Sequence, residues 1–177
     1  MAIEGFFAWF ASLCKILTID NLRKRSMLVL DWCYMCKRCG EFMDHLLLHC
    51  PIAWELWSLA FCLFGSHWVM PHTILKLFEA WQGKFVRHHN IDVWRLVSHC
   101  LIWCIWHKRN AKRFEGCERS LLEIKSFFLH TLFEWSVVFS HFPCSSFLFF
   151  LIVVLLVPDL CPHSTSPMYS AWHFFFY

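Results

Sequence analysis

A set of cysteine and histidine residues near the N-terminal end constrains this 177-residue chain most strongly. Cys33 and Cys36 are separated by two residues, His45 follows after eight more, and Cys50 follows after another four, directly before Pro51. Three thiolates and one imidazole are ligands that zinc takes in tetrahedral structural sites, which leave no open position for a substrate. The spacing therefore predicts a structural zinc site of three sulfurs and one nitrogen.

The backbone around the predicted site has to bring distant ligands together. On a continuous α-helix His45 and Cys50 would face different directions, because five residues correspond to about 500° of rotation. Pro51 disfavours helical backbone at the residue before it, so we expect the helix to unwind there and Cys50 to turn back. We also expect Gly40 to let the chain reverse and Asp44 to cap the short helix that carries His45.

Two further residues compete for places in the site. Cys39 would be a third sulfur close to the first two, and His49 would replace His45 as the nitrogen ligand. We favour His45 because Cys39 lies in the predicted turn and His49 is adjacent to Cys50. Both alternatives stay open from the residues alone, as does the interpretation that the thiols are only buried.

Composition indicates a reducing compartment. The chain has 11 cysteines, and its apolar start carries Glu4 with no Lys or Arg before it, which makes a poor secretory signal. Clustered cysteines inside the cell bind metal more often than they form disulfides, so an intracellular location, nuclear or cytoplasmic, is favoured.

A hydrophobic fraction of 58% with 16% charged residues excludes a disordered chain.

Apolar residues recur at helical spacing along most of the chain, and no segment alternates with the period of a strand. Pro51 begins one helix and Gly65 ends it, while Ser120 and Glu123 form a capping box for another. Asp92 is expected to cap the longest helix. The predicted helices cover residues 6–17, 19–26, 51–64, 73–81, 92–113 and 120–139. The predicted fold is mainly α.

The chain is predicted to have three parts. These are a small zinc-knuckle helical domain at 5–64, a helical extension at 65–139 and an apolar, low-charge tail at 140–177. No Lys or Arg follows Lys125. Residues 147–157 are all apolar, but a helix of that length covers only about half of a ~30 Å hydrocarbon core. We therefore predict no membrane span, with a membrane tail anchor through 147–157 as the competing interpretation.

Basic residues gather beside the predicted metal site, with only two acidic residues between the first and the last. They are Lys15, Arg23, Lys24, Arg25, Lys37 and Arg38. Such a basic patch would make salt-dependent phosphate contacts that carry little sequence information, and Tyr34 would stack on an unpaired base. The alternative is a solvated helix face with Tyr34 packed locally. The predicted partner is RNA or DNA, bound weakly.

Other clusters have plainer interpretations. Cys100, Cys104 and His107 share one helix face and would make a second metal edge, but their apolar neighbours favour a core. The basic cluster at 108–113 would extend a phosphate-binding surface or complement a helix C-terminus, and the latter needs fewer assumptions. No serine or cysteine nucleophile motif and no Asp-Asp pair occurs, so we predict that the chain is not an enzyme.

The N-terminal third resembles a known family. The positions that carry the likeness are Phe7-Ala8-Trp9, the run from Lys15 to Arg25, Cys33, Cys36, Glu41, His45 with the three leucines after it, Cys50-Pro51 and Leu56-Trp57. Over about residues 5–58 they resemble the zinc-binding domain of plant LINE-type (non-LTR) retrotransposon reverse transcriptases. The resemblance implies zinc as the metal and RNA of such an element as the partner. By matching position it assigns as ligands Cys33, Cys36, His45 and Cys50.

The sequence thus predicts a non-catalytic structural-zinc domain, a remnant of a retrotransposon reverse transcriptase with weak nucleic-acid binding. One alternative is a protein-interaction module whose exposed tryptophan-rich helices bind a partner. The other is a tail-anchored membrane protein. The sequence indicates no particular oligomeric state.

Overall fold

The computed structural model of the protein describes residues 15–66, 69–83, 91–139 and 146–156. Throughout these ranges the chain forms helices and turns, and no strand occurs in them. The helices are α1 (Ile19–Lys24), a π-helical turn (His45–His49), α2 (Pro51–Leu63), α3 (Ile74–Gly83), α4 (Ile91–Phe114), α5 (Leu121–Phe139) and α6 (Phe147–Leu156). The predicted mainly α class is confirmed.

Local signals place most helix ends correctly. Gly65 has a φ of 56° after the end of α2, a left-handed conformation that glycine adopts without a steric penalty. The predicted capping box forms: the Glu123 carboxylate accepts the Ser120 backbone N–H at 2.7 Å, and the Ser120 hydroxyl accepts the Glu123 N–H at 3.3 Å.

Three helix predictions need correction. Asp92 does not cap α4; it lies inside the first turn and pairs with Arg95 at 3.2 Å. The helix predicted to reach residue 26 ends at Lys24, because Ser26 has a φ of 61°. In the helix predicted for 6–17, residues 6–14 lie outside the described residues, and residues 15–17 are not helical.

Aromatic side chains fill the core between α2, α3 and α4. The Trp81 and Trp94 rings stack with centroids 4.4 Å apart, and Trp57 meets Trp81 edge-on at 5.8 Å. Phe64 packs against Trp94 in the same way at 4.9 Å. All four side chains are buried, so these tryptophans form the interior and not a surface.

One buried cluster contains residues of both the predicted zinc domain and the predicted extension. It includes Cys33 and Leu46 beside the metal site, Trp94 and Ile105 in α4, and Phe128 in α5. The predicted boundaries at 5–64, 65–139 and 140–177 stay predictions, but the core is continuous across the first of them.

The described part of the apolar tail packs onto α5. Phe147 stacks on His130 with ring centroids 3.9 Å apart, and Phe150 meets Phe133 at 5.4 Å. Phe150 and Val154 are buried. No helix within the described ranges combines the length and the apolar character that a membrane crossing requires. The remainder of the predicted tail lies outside those ranges.

Candidate metal centre

A tight turn arranges the first pair of cysteines. The backbone N–H of Lys37 donates to the Cys33 carbonyl at 2.8 Å, and the Cys33 N–H donates to the Cys39 carbonyl at 2.6 Å. Lys37 has a φ of 57°, which lets the chain reverse directly after Cys36. The two bonds fold the backbone around the Cys33 and Cys36 sulfurs, so that both face the same point.

Gly40 has a different role from the predicted one. It does not adopt a positive φ; a Cβ placed there would lie 2.9 Å from an Asp31 carboxylate oxygen. Gly40 therefore lies against the Asp31 side chain, which would have to move to admit a Cβ, while Lys37 makes the reversal. The sequence could not show this, because left-handed backbone is unusual for a lysine.

A π-helical turn brings the second pair of ligands together. The Cys50 N–H donates to the His45 carbonyl five residues earlier, at 2.6 Å, and Cys50 itself is extended, with φ −59° and ψ 134°. In a π-helix, with its i to i+5 bonds, five residues make roughly one turn, so His45 and Cys50 lie on the same side. Cys50 leaves the helix before Pro51 as predicted, but the helix widens where unwinding was expected.

Neighbouring elements hold the π-helical turn. The Trp57 indole of α2 donates to the Leu47 carbonyl at 2.9 Å. Asp44 makes no side-chain capping bond, contrary to prediction; its carboxylate accepts the backbone N–H of Ile74 at 2.9 Å. The turn is thus connected to both α2 and α3.

The four predicted ligands converge. The group consists of Cys33, Cys36, His45 and Cys50. Each residue offers one ligand atom, and these four atoms all lie within 4.8 Å of one another. The Cys36 sulfur is 3.4 Å from His45 Nε2, near the ~3.5 Å edge that tetrahedral zinc gives with bonds of about 2.3 Å to sulfur and 2.0 Å to nitrogen. The donor set and its burial fit a structural zinc ion, as predicted.

The rival ligands lie at the edge of the group or outside it. The Cys39 sulfur approaches His45 Nε2 to 3.3 Å, but Cys39 is exposed and does not belong to the group of four mutually close ligand atoms. His49 is exposed, and its Nε2 lies 3.1 Å from the His72 carbonyl oxygen. The geometry favours His45 over His49 and places Cys39 beside the site.

Hydrogen bonds among the ligands shift their protonation. The Cys33 thiol is hydrogen-bonded to the Cys50 side chain. This hydrogen bond, together with burial, raises the pKa of Cys33 to about 12. The same bond lowers the pKa of Cys50. A bond to Cys33 raises the pKa of His45. Zinc takes deprotonated thiols and neutral imidazole, so loading the site displaces protons.

A buried ion pair joins the metal centre to the long helix α4. The Glu41 and Arg109 side chains are 0% and 1% exposed and are directly bonded to each other, with Arg109 Nε at 3.0 Å from Glu41 Oε1. Glu41 also accepts the backbone N–H groups of Ile19 at 3.2 Å and of Tyr34 at 3.1 Å. This carboxylate therefore connects α1, the cysteine turn and α4.

Sequence reasoning missed this pair. The sequence places Arg109 in the basic cluster at 108–113 and Glu41 among the matching positions of the resemblance, and no pattern pairs the two. The one available signal is helical phase: Arg109 follows the apolar positions Leu101 and Ile105 at intervals of four residues, which places it on the buried face.

The structure places the predicted basic patch on the surface: all six of its residues are exposed. Lys15, Arg25 and Arg38 have no carboxylate partner among the residues that the structure describes. The other three form ion pairs, which are Arg23–Asp31 at 2.5 Å, Lys24–Asp20 at 3.0 Å and Lys37–Glu118 at 3.0 Å.

Tyr34 and the cysteines of α4 have packing roles. The Tyr34 ring lies 5.4 Å from the guanidinium carbons of Arg109 and Arg113, which favours local packing over base stacking. Cys100 and Cys104 are fully buried with sulfurs 4.0 Å apart, whereas His107 is exposed. These three form no metal-type group in the described ranges, in agreement with the core interpretation.

Comparison with known proteins agrees with this geometry. Residues 4–57 match a family model described as zinc-binding in reverse transcriptase, a segment that contains all four converging ligands. No curated protein and no solved structure matches the chain. The chain therefore carries a zinc-binding module similar to the one that this reverse-transcriptase family describes.

Proposed function

We propose that the chain is a non-catalytic structural-zinc domain, a remnant of a plant LINE-type retrotransposon reverse transcriptase, that binds RNA weakly through its phosphates. The observation that carries the proposal is the surface exposure of all six predicted basic residues, which lie close in the sequence to the converging zinc ligands. The family match supports the reverse-transcriptase origin, and the plant and LINE assignments rest on the wider resemblance of residues 5–58.

The metal has a structural role in this proposal. Four protein side chains complete a tetrahedral shell, which leaves no position for a substrate or an activated water. Two of the ligands come from the cysteine turn and two from the π-helical turn and its end, so one ion would hold these two segments together. Zinc would hold the surface that carries the basic patch in one shape.

The basic patch suits contacts with the nucleic-acid backbone. Lys15, Arg25 and Arg38 are exposed without a carboxylate partner in the described ranges. The ion pairs of the other three are at the surface, where such pairs contribute roughly 0–1 kcal/mol, so a phosphate can displace the carboxylate. With about three phosphate contacts on a single strand, affinity should fall roughly 20-fold between about 50 and 200 mM salt.

The alternative of a tryptophan-rich docking surface has less support. Trp57, Trp81 and Trp94 are buried in the core, and Trp135 is nearly so. Trp103 and Trp106 on α4 are partly buried against the core. Trp32 and Trp54 are about half exposed, but Trp32 lies outside the helices, so the two share no helix face.

The test is RNA binding by fluorescence anisotropy with the zinc-loaded full chain over a salt series. Substituting Arg23, Lys24 and Arg25 by alanine should abolish most of the binding and flatten the salt dependence. The matched control replaces three basic residues outside the patch by alanine: Lys76, Arg95 and Lys125. Binding that is insensitive to salt, or lost equally in the control, would contradict the proposal.

A further inference from the structure

A small cavity lies between the C-terminal half of α4 and the turn that leads into α5. Its volume is about 80 Å³. Three cations line it, Lys108 and Lys112 from α4 and Arg119 from the turn, against apolar walls formed by Met35, Ile52 and Ile124. No carboxylate belongs to the lining, so the cavity presents positive charge only.

Lys108 is the unusual member of this lining. The residue is only 4% exposed, and its Nζ has no hydrogen-bond acceptor in the described part of the chain. Its one close partner is the Phe127 ring, with Nζ 3.7 Å from the ring centroid. A buried ammonium without an acceptor is unfavourable, and burial together with nearby Arg119 lowers the pKa of Lys108. The Nζ atom itself has almost no accessible surface, so the Lys108 side chain would turn from the Phe127 ring to meet an anion in the cavity, which would supply the missing acceptor.

The other two cations have partners that a phosphate group would replace or share. Lys112 Nζ is 3.3 Å from the exposed carboxylate of Glu118 and 3.5 Å from the Met35 carbonyl, so it stands at the mouth with an exchangeable partner. Arg119 is exposed and is hydrogen-bonded to the Cys117 side chain; its planar guanidinium has further N–H groups, and such a group binds phosphate oxygens in pairs. Glu123, which also acts electrostatically on Lys108, is held in the capping box with Ser120.

We propose that this cavity binds a phosphate monoester group, with Lys108 as the buried donor and with Lys112 and Arg119 at its entrance. Each water-sized group needs about 10–15 Å³ of such volume, so the cavity has room for the five heavy atoms of one phosphate. This size suits the end of a strand better than a phosphodiester that must enter and leave. Assigning that end to RNA rests on the proposed function; the phosphate site does not.

The experiment is calorimetric titration of the zinc-loaded full chain with inorganic phosphate at constant ionic strength. Lys108→Met keeps the length of the side chain and removes its charge; Arg119→Gln changes an exposed residue that folding does not require. Lys76→Met, on the exposed side of α3, is the matched control for the lost charge. Zinc content and circular dichroism verify that each variant is folded.

Wild type and Lys76→Met should bind phosphate with similar affinity, and Lys108→Met and Arg119→Gln should bind it about tenfold or more weakly, as expected for losing a charged hydrogen bond. Equal binding by wild type and a folded Lys108→Met variant, or no saturable binding by wild type, overturns the site. If Lys108→Met does not fold, equal binding by Arg119→Gln overturns it instead.

Two RNA strands of one sequence, with and without a 5′-phosphate, identify the source of the group. Tighter binding of the phosphorylated strand, lost in Lys108→Met, supports an RNA end; equal binding, with inorganic phosphate still bound, assigns the site to a small phosphate compound. A third outcome separates the two proposals. If the alanine substitutions of Arg23, Lys24 and Arg25 abolish RNA binding, but wild type and Lys108→Met bind both strands equally, the cavity site is overturned and the proposed function stands. Phosphate binding without RNA binding would support the cavity site and contradict the proposed function.

Discussion

Replacing Arg109 by methionine should destabilise the protein strongly. The variant keeps most of the side-chain volume but leaves the buried Glu41 carboxylate without its cation. Breaking a buried ion pair from one side costs about 3–5 kcal/mol. Glu41 retains the amide bonds from Ile19 and Tyr34, which partly compensate its charge, so we expect a loss near the lower limit, about 3 kcal/mol.

Urea unfolding of the zinc-loaded chain, followed by helical circular dichroism, measures this loss. Arg95→Met is the matched control because Arg95 lies on the same helix and pairs with Asp92, with side chains 69% and 63% exposed. An exposed pair contributes roughly 0–1 kcal/mol, so the control should unfold close to wild type. The two variants should therefore differ by about 2 kcal/mol or more.

A double variant separates charge from packing. Adding Glu41→Gln to Arg109→Met removes the uncompensated charge, but a glutamine can accept only one of the two N–H groups of Ile19 and Tyr34. An unpaired N–H costs about 1–3 kcal/mol, less than an unpaired buried charge, so the double variant should be somewhat more stable than Arg109→Met alone. If Arg109→Met unfolds within about 0.5 kcal/mol of Arg95→Met, the argument that this pair connects the metal centre to α4 is refuted.

Two predictions concern the metal itself. Elemental analysis should find one zinc ion per purified chain. The zinc should be lost when Cys33 and Cys36 are both replaced by serine, and retained when Cys62, which is outside the ligand group, is replaced. Folded wild-type protein without zinc would contradict the site. Zinc affinity should increase with pH between about pH 6 and 8, because the raised pKa values of Cys33 and His45 mean that binding expels protons. Chelator competition over that range checks the sign, and an affinity that is independent of pH would refute it.

Local patterns made much of this fold predictable. The Ser120 capping box and the ligand spacing act over a few residues, so the sequence alone identified them and the structure brings those side chains together. The pair between Glu41 and Arg109 spans 68 residues, and no short-range pattern specifies which carboxylate a helix cation will meet. Such long-range contacts depend on how helices pack.

The basic cluster at 108–113 shows the same limit. The sequence leaves open whether this cluster extends a phosphate-binding surface or complements the helix C-terminus. Successive helical positions point in different directions, so Lys108 and Arg109 are buried whereas Arg113 is only partly so. The conformation of the π-helical turn was not predicted, for a related reason. The effect of Pro51 on the Cys50 backbone could be predicted, but the preceding change from i+4 to i+5 hydrogen bonds could not.

The widened turn before Pro51 has a consequence for insertions and deletions in this motif. An α-helix aligns residues four apart, whereas this turn aligns residues five apart, so one added residue is absorbed by a register change and both ligand directions are preserved. Shortening the three-leucine run by one leucine would restore ordinary helical register and still present an imidazole and a thiolate to the same ion. Related chains that differ by one residue at this point can therefore share one coordination geometry.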